Sequence, residues 1–367
     1  MMEKDEYFRE LNIFETKFYS LTSHFNTNFP KALNLSSEKK KFYNAIHCGA
    51  IYNPQFEFEK KEFDINKFEE LKKIEISTSN DLYNFKKLYK ERLKSKIAEI
   101  NSHITWGESI STKYVKKYRG EPNYLLLIKA KKFCKNYTRE KIKFKRLSPQ
   151  TVSNYLKDEV KRLSGNEIEV EFDEGINANV NISPVNNIIK INPNVRFTNL
   201  DVKRLLVHEI GVHYMRYYNA SNFGIKILEI GTSNYIETEE GLAVYAEYLK
   251  GVNSNAQMFV YAGRVIATYY ALRKSFYEVY QILIKYGFSR SIAFAITFRA
   301  KRNLSDTSQK GGFTKDYVYF KGFNEIKKHV KRNDIKDLFI GKIKIEDLKY
   351  LKKFIEENRS KIKTIFQ

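Results

Sequence analysis

Residues 205–215 form the segment that most restricts how this chain can fold. The segment reads LLVHEIGVHYM. Its polar groups are the side chains of His208, Glu209 and His213 and the hydroxyl of its tyrosine, and its other residues are apolar. Burying ionisable groups without partners is costly. The segment therefore predicts a buried helix whose ionisable side chains share a partner, and a divalent metal ion is the simplest such partner.

The spacing of the two histidines constrains that helix further. They lie in the order H-E-x-x-x-H, which is one residue longer than the H-E-x-x-H pattern of helical zinc sites. A regular α-helix would separate them by about 140° around its axis, whereas a π turn brings such positions nearly onto one face. Gly211, where the backbone is permissive, lies between them. We predict a helix over 205–218 with a π turn near Gly211; the alternative is an ordinary helix that carries two histidines by chance.

A second acidic segment could complete a metal site. Thr238 is a predicted N-cap, and Glu239 and Glu240 follow it in the first turn of a predicted helix. A catalytic zinc ion usually has three protein ligands and one open position, so one of these carboxylates could join the two histidines. Both could instead only stabilise the helix N-terminus. Glu209, directly after His208, has the position of a general base or, alternatively, of an ordinary ion-pair partner.

Three sequence blocks resemble a family of zinc metallopeptidases known for a QEGLA motif, which includes the microtubule-associated tyrosine carboxypeptidases. Residues 208–216 read HEIGVHYMR, residues 239–243 read EEGLA and residues 313–322 read FTKDYVYFKG. Three blocks in the family order are more specific than any one of them. The resemblance extends over about residues 40–340.

The resemblance implies a fold, a reaction and site residues. It implies His208, His213 and Glu240 as Zn²⁺ ligands and Glu209 as the catalytic acid/base. Glu239 is not expected to bind the metal, because many members have glutamine there. The implied reaction releases a C-terminal residue from a protein or peptide, and in animal members this is a tyrosine on the acidic tail of tubulin. The fold class is α+β and zincin-like, mostly helical, with a small sheet preceding the metal-binding helix.

Basic residues in and near the third block could bind the free carboxylate of such a substrate. The candidates are Lys315, Arg299 and Arg302, of which Lys315 is preferred because it lies inside the block; each could also be a solvated charge. Tyr319 could donate a hydrogen bond to an oxyanion. Phe294 and Phe298 could line a specificity pocket, although a spacing of four residues is more typical of core packing.

The pattern of apolar residues predicts the organisation of the chain. Residues 1–150 are predicted to form a mostly helical region and residues 151–367 the zincin-like catalytic domain. Helical spacing recurs at 5–24, 68–102, 124–133, 148–163, 256–286 and 289–299. Alternation predicts strands at 168–172, 179–182 and 188–191. Residues 187–192 are the candidate edge to which a peptide substrate adds as a strand; an ordinary hairpin is the alternative.

The composition limits the classes of binding partner that we expect for this chain. A net charge of +22 could indicate nucleic acid, an acidic peptide, or a genome rich in A/T codons. The lysines are spread along the chain, often beside glutamate, so nucleic acid is not the expected partner. There is no apolar run of 18 residues, the first residues, MMEKDE, are charged and lack the apolar region of a signal peptide, and there are only two cysteines. These features predict a cytoplasmic protein without membrane span or disulfide.

Together these observations predict a zinc-dependent metallopeptidase. It is expected to be a carboxypeptidase that releases a C-terminal, tyrosine-like residue from an acidic protein or peptide tail. The alternative is a non-catalytic, metal-containing protein that binds protein or nucleic acid.

Overall fold

The chain folds mainly into α-helices. The computed structural model describes residues 2–75, 83–138, 146–176 and 179–366. In chain order the α-helices are α1 (Met2–Ser23), α2 (Leu35–His47), α3 (Ile65–Lys72), α4 (Phe85–Ile104), α5 (Ser111–Arg119), α6 (Tyr124–Lys135), α7 (Pro149–Ser164), α8 (Asn199–Leu205), α9 (Met215–Phe223), α10 (Lys226–Ile230), α11 (Ile236–Leu249), α12 (Asn255–Ala271), α13 (Phe276–Lys285), α14 (Arg290–Lys301), α15 (Val318–His329) and α16 (Leu348–Asn358).

Other helix types occupy short segments. A π-helix, Leu206–Tyr214, continues directly from α8 into α9. The 3₁₀ helices are Lys315–Tyr317, Ile335–Phe339, Ile345–Asp347 and Arg359–Lys361. The predicted helical segments are confirmed at 5–24, 124–133, 148–163 and 289–299. The predicted segment 68–102 is instead divided between α3 and α4, with residues 73–75 and 83–84 not helical and residues 76–82 outside the described residues. The predicted segment 256–286 is divided into α12 and α13 by the non-helical residues 272–275.

The strands form two small sheets before the π-helix. They are β1 (Arg146–Leu147), β2 (Glu169–Phe172), β3 (Val180–Ser183), β4 (Ile188–Ile191) and β5 (Phe197–Thr198). β1 pairs with β5 in an antiparallel ribbon. In the other sheet β4 pairs in parallel with β2, from Glu169–Ile188 to Phe172–Ile191, and antiparallel with β3. The predicted α+β class, mostly helical with a small sheet before the site helix, is confirmed.

The prediction that residues 187–192 form a free sheet edge is wrong. β4 is the central strand of the order β2-β4-β3, so both of its sides are already paired. β3 and β4 form the hairpin that was the alternative, and the parallel addition of β2 occupies the other side of β4. Sequence alternation locates strands but contains no information about which strand is inserted in the middle.

The chain divides into two compact units, each built from two stretches of sequence. The first unit is Met1–Tyr137 with Met258–Phe320, and the second is Thr138–Gln257 with Lys321–Gln367. The predicted division into 1–150 and 151–367 concerns domains with different roles and stays a prediction. No α-helix in the described part of the chain is long and apolar enough to cross a membrane. Cys48 and Cys134 are both free thiols.

The core of the first unit is rich in aromatic side chains. Phe42 contacts Tyr280, Phe276 and Phe294, with ring centroids 4.9, 5.2 and 5.4 Å away. Phe298 packs edge-on against Phe56 at 5.0 Å. Both Phe294 and Phe298 thus pack against other aromatic rings of this unit, as their helical spacing indicated. Their suggested role in a specificity pocket stays a prediction.

The second unit is assembled around the π-helix, against which α7, α8, α9 and α11 pack. The helical segment has a well-defined N-terminus because Thr198 and Asp201 form a capping box at α8, in which each side chain accepts a hydrogen bond from the other's backbone N–H.

The helix that carries the acidic block begins earlier than predicted. α11 starts at Ile236, so Thr238 is not an N-cap; its buried hydroxyl instead accepts from the Ile345 N–H at 3.0 Å.

Candidate metal centre

The π-helix brings the two histidines onto one side. The ring centroids of His208 and His213 lie 4.7 Å apart, with the ring planes at 85°. The prediction of a π turn is confirmed, and the π geometry extends over nine residues rather than one turn. This geometry overcomes the separation of about 140° that a regular α-helix would impose on these positions.

Position 211 requires glycine because a side chain would not fit there, and not because the backbone adopts an unusual conformation. Its φ lies outside the left-handed region, so no conformation reserved for glycine is needed. A Cβ atom at this position would instead overlap the side chain of Ile365, which packs directly on the helix. Glycine therefore lets the segment near the C-terminus approach the π-helix closely.

Helix α11 places Glu240 opposite the two imidazoles. Its Oε2 lies 3.4 Å from Nε2 of His208 and 3.7 Å from Nε2 of His213. The glycine after it lets α11 approach α15 closely, because a Cβ at Gly241 would overlap the backbone of Gly322. The second and third sequence blocks thus meet through their glycines. Two imidazole nitrogens and one carboxylate oxygen converge as the sequence predicted, although their role as metal ligands stays a prediction.

Two further carboxylates contact the Nδ1 atoms of the two imidazoles. Nδ1 of His208 lies 2.7 Å from Oε1 of Glu247, and Nδ1 of His213 lies 2.8 Å from Oε1 of Glu239. A carboxylate only accepts hydrogen bonds, so each Nδ1 carries the hydrogen and each Nε2 faces Glu240. Carboxylates in this outer position are typical of metal-binding histidines.

Sequence reasoning missed Glu247. The signal was present, because Glu247 follows Glu240 by seven residues, two helical turns further on the same face of α11. It is also fully buried in an otherwise apolar stretch and forms an ion pair with Arg204 at 3.3 Å. Glu239 contacts Nδ1 of His213 and Arg216 rather than the two Nε2 atoms, and the expectation that it does not bind the metal stays a prediction.

Arg216 anchors the outer carboxylate of His213. Its guanidinium is completely buried, and its Nη1 donates to Glu239. Its Nε donates to the carbonyl of Leu338 at 2.9 Å and its Nη2 to that of Ile343 at 2.8 Å. The arginine of the first sequence block therefore ties α11, the π-helix segment and the chain near residue 340 together.

Hydrogen bonding perturbs the pKa values of the cluster strongly. Burial lowers the pKa of His208, but hydrogen bonds to Glu240 and Glu247 outweigh it and raise the pKa to about 10. The pKa of His213 is also raised well above its usual value, because Glu239 and Glu240 outweigh burial. Burial raises the pKa of Glu240, yet the two imidazoles bring it well below its usual value. The cluster is therefore a strongly negative environment that stabilises positive charge.

Glu209 completes the cluster from within the π-helix. One ligand-type atom from each of His208, Glu209 and His213 lies within 4.8 Å of the other two. Glu209 is only partly buried. Glu209 thus lies beside the imidazoles in a partly exposed position, which suits a general base.

The predicted substrate-binding residues all belong to the first unit, and their role stays a prediction. Arg299 forms a bidentate ion pair with Asp316. The Tyr319 ring stacks on Tyr261 at 4.8 Å. Lys315 and Arg302 both lie over the ring of Phe29, at 5.7 and 4.1 Å from its centroid.

Comparison with known proteins agrees with the three sequence blocks. A family model described as microtubule-associated tyrosine carboxypeptidase matches residues 40–361. Microtubule-associated tyrosine carboxypeptidase 1 of Mus musculus is 34% identical over 159 residues, which cover 41% of this chain and 33% of the mouse protein. The Homo sapiens protein of the same name is 34% identical over 161 residues, 40% of this chain and 32% of the human protein.

The aligned part of the chain thus spans about a third of the length of these curated relatives. The family model, in contrast, covers most of the chain and includes the convergent histidines, the EEGLA block and the FTKD block. The predicted resemblance is confirmed, and the chain belongs to the microtubule-associated tyrosine carboxypeptidase family.

Proposed function

We propose that this protein is a zinc-dependent metallopeptidase of zincin-like architecture that acts as a carboxypeptidase. The observation that carries the proposal is the convergence of His208 Nε2, His213 Nε2 and Glu240 Oε2, with Glu209 beside them. The names of the relatives, tyrosine carboxypeptidases, support the same reaction class.

The donor set fits a zinc ion. Two imidazole nitrogens and one carboxylate are a common ligand set for catalytic zinc, and this set leaves one position open. The carboxylates on both Nδ1 atoms orient the rings so that Nε2 is directed inward. The carboxylates that raise the pKa of His208 to about 10 form a negative environment. The same environment would stabilise a divalent cation bound in place of the imidazole protons. Bound zinc would supply Lewis acidity to a peptide carbonyl and to water.

The chain's own residues would then have separate tasks. Glu209 would accept a proton from the attacking water and pass it to the leaving amine. Glu239 and Glu247 would keep the Nδ1 hydrogens in place and so preserve the orientation of the imidazoles. Arg216 would hold Glu239, because its three donors bind that carboxylate and two backbone carbonyls.

The proposed substrate is the C-terminal tail of a protein or peptide, with a tyrosine-like last residue and acidic residues before it. The relatives' names specify tyrosine, and a net charge of +22 would attract an acidic chain by long-range steering. A cytoplasmic location is part of the same proposal.

A mass-spectrometric screen of peptides with varied C-termini tests the reaction. The zinc-loaded protein should shorten free-acid peptides that end in tyrosine by one residue and leave their C-terminal amides intact. Glu209→Gln should retain zinc and fold but slow hydrolysis by about 10²- to 10⁴-fold, the usual contribution of a general base. A non-catalytic binding protein would leave every peptide intact, and internal cleavage would indicate an endopeptidase. Full activity in Glu209→Gln would remove the general-base assignment.

A further inference from the structure

Helix α6 of the first unit has apolar side chains on its exposed side as well as on its buried side. Tyr124, Leu125 and Ile128 lie within the first two turns and are 61%, 72% and 44% exposed. The buried side of the helix is formed by Leu126, Leu127, Ala130 and Cys134. A surface helix of a globular protein normally has one apolar face, which packs on the core. The second, exposed group of apolar side chains therefore indicates a binding surface.

Contacts within the first unit hold this helix in place. The side chain of Asn123 caps its N-terminus and accepts a hydrogen bond from the Leu126 N–H at 2.8 Å. Further along, Nζ of Lys131 donates to the hydroxyl of Tyr270 at 2.7 Å. The exposed apolar side chains therefore lie on a helix that is already ordered, so a partner that covers them does not have to supply the free energy of helix formation.

Positive charge is concentrated in the same part of the chain. Residues 111–138 contain eight lysines and arginines but only one acidic residue, Glu121, whereas the whole chain has 65 basic and 43 acidic residues. Lysines elsewhere often lie beside glutamate, but most of those in this stretch do not. Five of them are exposed and have no ion-pair partner among the described residues: Lys113, Lys117, Lys129, Lys132 and Lys135. The last three follow the exposed apolar residues along α6.

A partner for this helix has to offer both negative charge and aliphatic surface. An acidic peptide or a nucleic acid offers the charge but little aliphatic surface to cover Leu125 and Ile128. A bilayer that contains anionic lipids offers both, because its headgroups attract lysines and its acyl chains accept aliphatic side chains. A tyrosine such as Tyr124 suits the boundary between the two, since its ring is apolar and its hydroxyl is polar.

We propose that the exposed side of α6 is a docking surface for an anionic lipid bilayer. This α6 surface consists of Tyr124, Leu125, Ile128, Lys129, Lys132 and Lys135. The attachment is peripheral and reversible, because it combines two moderate contributions, the insertion of a few aliphatic side chains and the attraction of a basic cluster. The inference goes beyond the proposed peptidase function and does not depend on it.

Vesicle co-sedimentation of the full-length protein tests the surface. One set of vesicles consists of phosphatidylcholine alone, and the other is an equal mixture of phosphatidylcholine and phosphatidylserine. We expect the protein to sediment with the mixed vesicles and to remain in the supernatant with phosphatidylcholine alone. Raising the salt concentration should weaken the binding, because salt screens the attraction between exposed lysines and headgroups.

The two contributions are separated by variants with matched controls. Replacing Lys129 and Lys132 together by glutamine should weaken binding by about 10- to 30-fold, because each lysine near an anionic surface contributes about fivefold. The control is the same double replacement of Lys90 and Lys94, which are exposed on α4 of the same unit.

Leu125→Gln should weaken binding by about 10-fold or more, because a leucine side chain no longer enters the apolar region. Its control is Leu33→Gln, since Leu33 is 68% exposed elsewhere in the first unit. Circular dichroism checks that all variants are folded, and Leu125→Ala, which favours the helix, is a second variant at this position.

The inference is overturned if the parent does not bind the mixed vesicles. It is also overturned if the α6 variants bind as tightly as their controls, because the net charge of +22 would then account for the binding without a specific surface. If the lysine variant loses binding but Leu125→Gln and Leu125→Ala do not, charge alone is responsible. An acidic protein would suit that result equally well, and the assignment to a lipid bilayer would be wrong.

Discussion

Replacing Glu239 should mainly lower the stability of the metal-free protein, whereas replacing Glu240 should mainly lower its metal affinity. The two residues are adjacent on α11, but Glu240 faces both Nε2 atoms, whereas Glu239 contacts Nδ1 of His213 and the buried Arg216. Glu240→Ala removes a proposed direct ligand. Loss of an outer-shell partner already costs about 10- to 100-fold in metal affinity, so we expect Glu240→Ala to cost at least about 100-fold, or roughly 2.7 kcal/mol.

Glu239→Ala should instead destabilise the metal-free protein. It leaves Arg216 buried without its carboxylate partner, and breaking a buried pair in this way costs about 3–5 kcal/mol. That loss corresponds to a thermal shift of roughly 6–20 °C for a unit of 150–250 residues. In Glu240→Ala both imidazoles keep their Nδ1 carboxylate partners, so its metal-free unfolding temperature should fall less than that of Glu239→Ala.

Thermal unfolding with and without zinc, together with competitive zinc titration, measures both effects. At a zinc concentration 1,000 times its dissociation constant the parent gains about 4.1 kcal/mol, whereas a variant that binds 100-fold more weakly gains about 1.4 kcal/mol. Glu237→Ala is the control, because Glu237 lies in the same helical turn and pairs with Lys321. Parent-like zinc affinity in Glu240→Ala, or equal affinity losses in Glu239→Ala and Glu240→Ala, would refute the assignment of the ligand.

Two further predictions follow from buried groups. Glu247→Gln should weaken zinc affinity by about 10- to 100-fold in the same titration, because the amide no longer gives the Nδ1 hydrogen of His208 a charged acceptor; unchanged affinity would contradict it. Burial lowers the pKa of His103 from 6.5 to about 4, so below about pH 6.5 the unfolded state binds a proton that the folded state does not. Stability should therefore fall by up to about 3 kcal/mol between pH 7 and 4 from this group, and urea unfolding of His103→Phe, unlike the exposed control His47→Phe, should lack that part of the decline.

Local patterns predicted the site because its chemistry is concentrated in short stretches of sequence. A regular α-helix would direct the two imidazoles of the H-E-x-x-x-H spacing apart, and a π turn resolves this conflict by adding one residue to the turn. The preference for Glu240 over Glu239 came from the resemblance, and the structure separates their contacts in the same way. The strands also follow from alternation, with β4 predicted at its observed bounds, Ile188–Ile191.

The sequence could not predict which distant segments contact each other. The insertion of β4 between β2 and β3 depends on a parallel pairing that leaves no local mark. Thr238 resembled an N-cap, but its hydroxyl binds the Ile345 N–H, more than one hundred positions away. Likewise the sequence identified Arg302 only as one of several basic residues. The feature that distinguishes it in the structure is its position between the rings of Phe29 and Phe313.

The π geometry of the first motif also serves these distant contacts. If the same sequence formed a regular α-helix, His213 and every residue after it would be rotated by about 100° relative to His208. Arg216 would then turn away from the carbonyls of Leu338 and Ile343, and Glu239 would lose its buried partner. The π-helix therefore lets one continuous segment direct its imidazoles at the candidate metal site and its arginine at the packing of the chain near residue 340, a double requirement that a regular α-helix with this sequence could not meet.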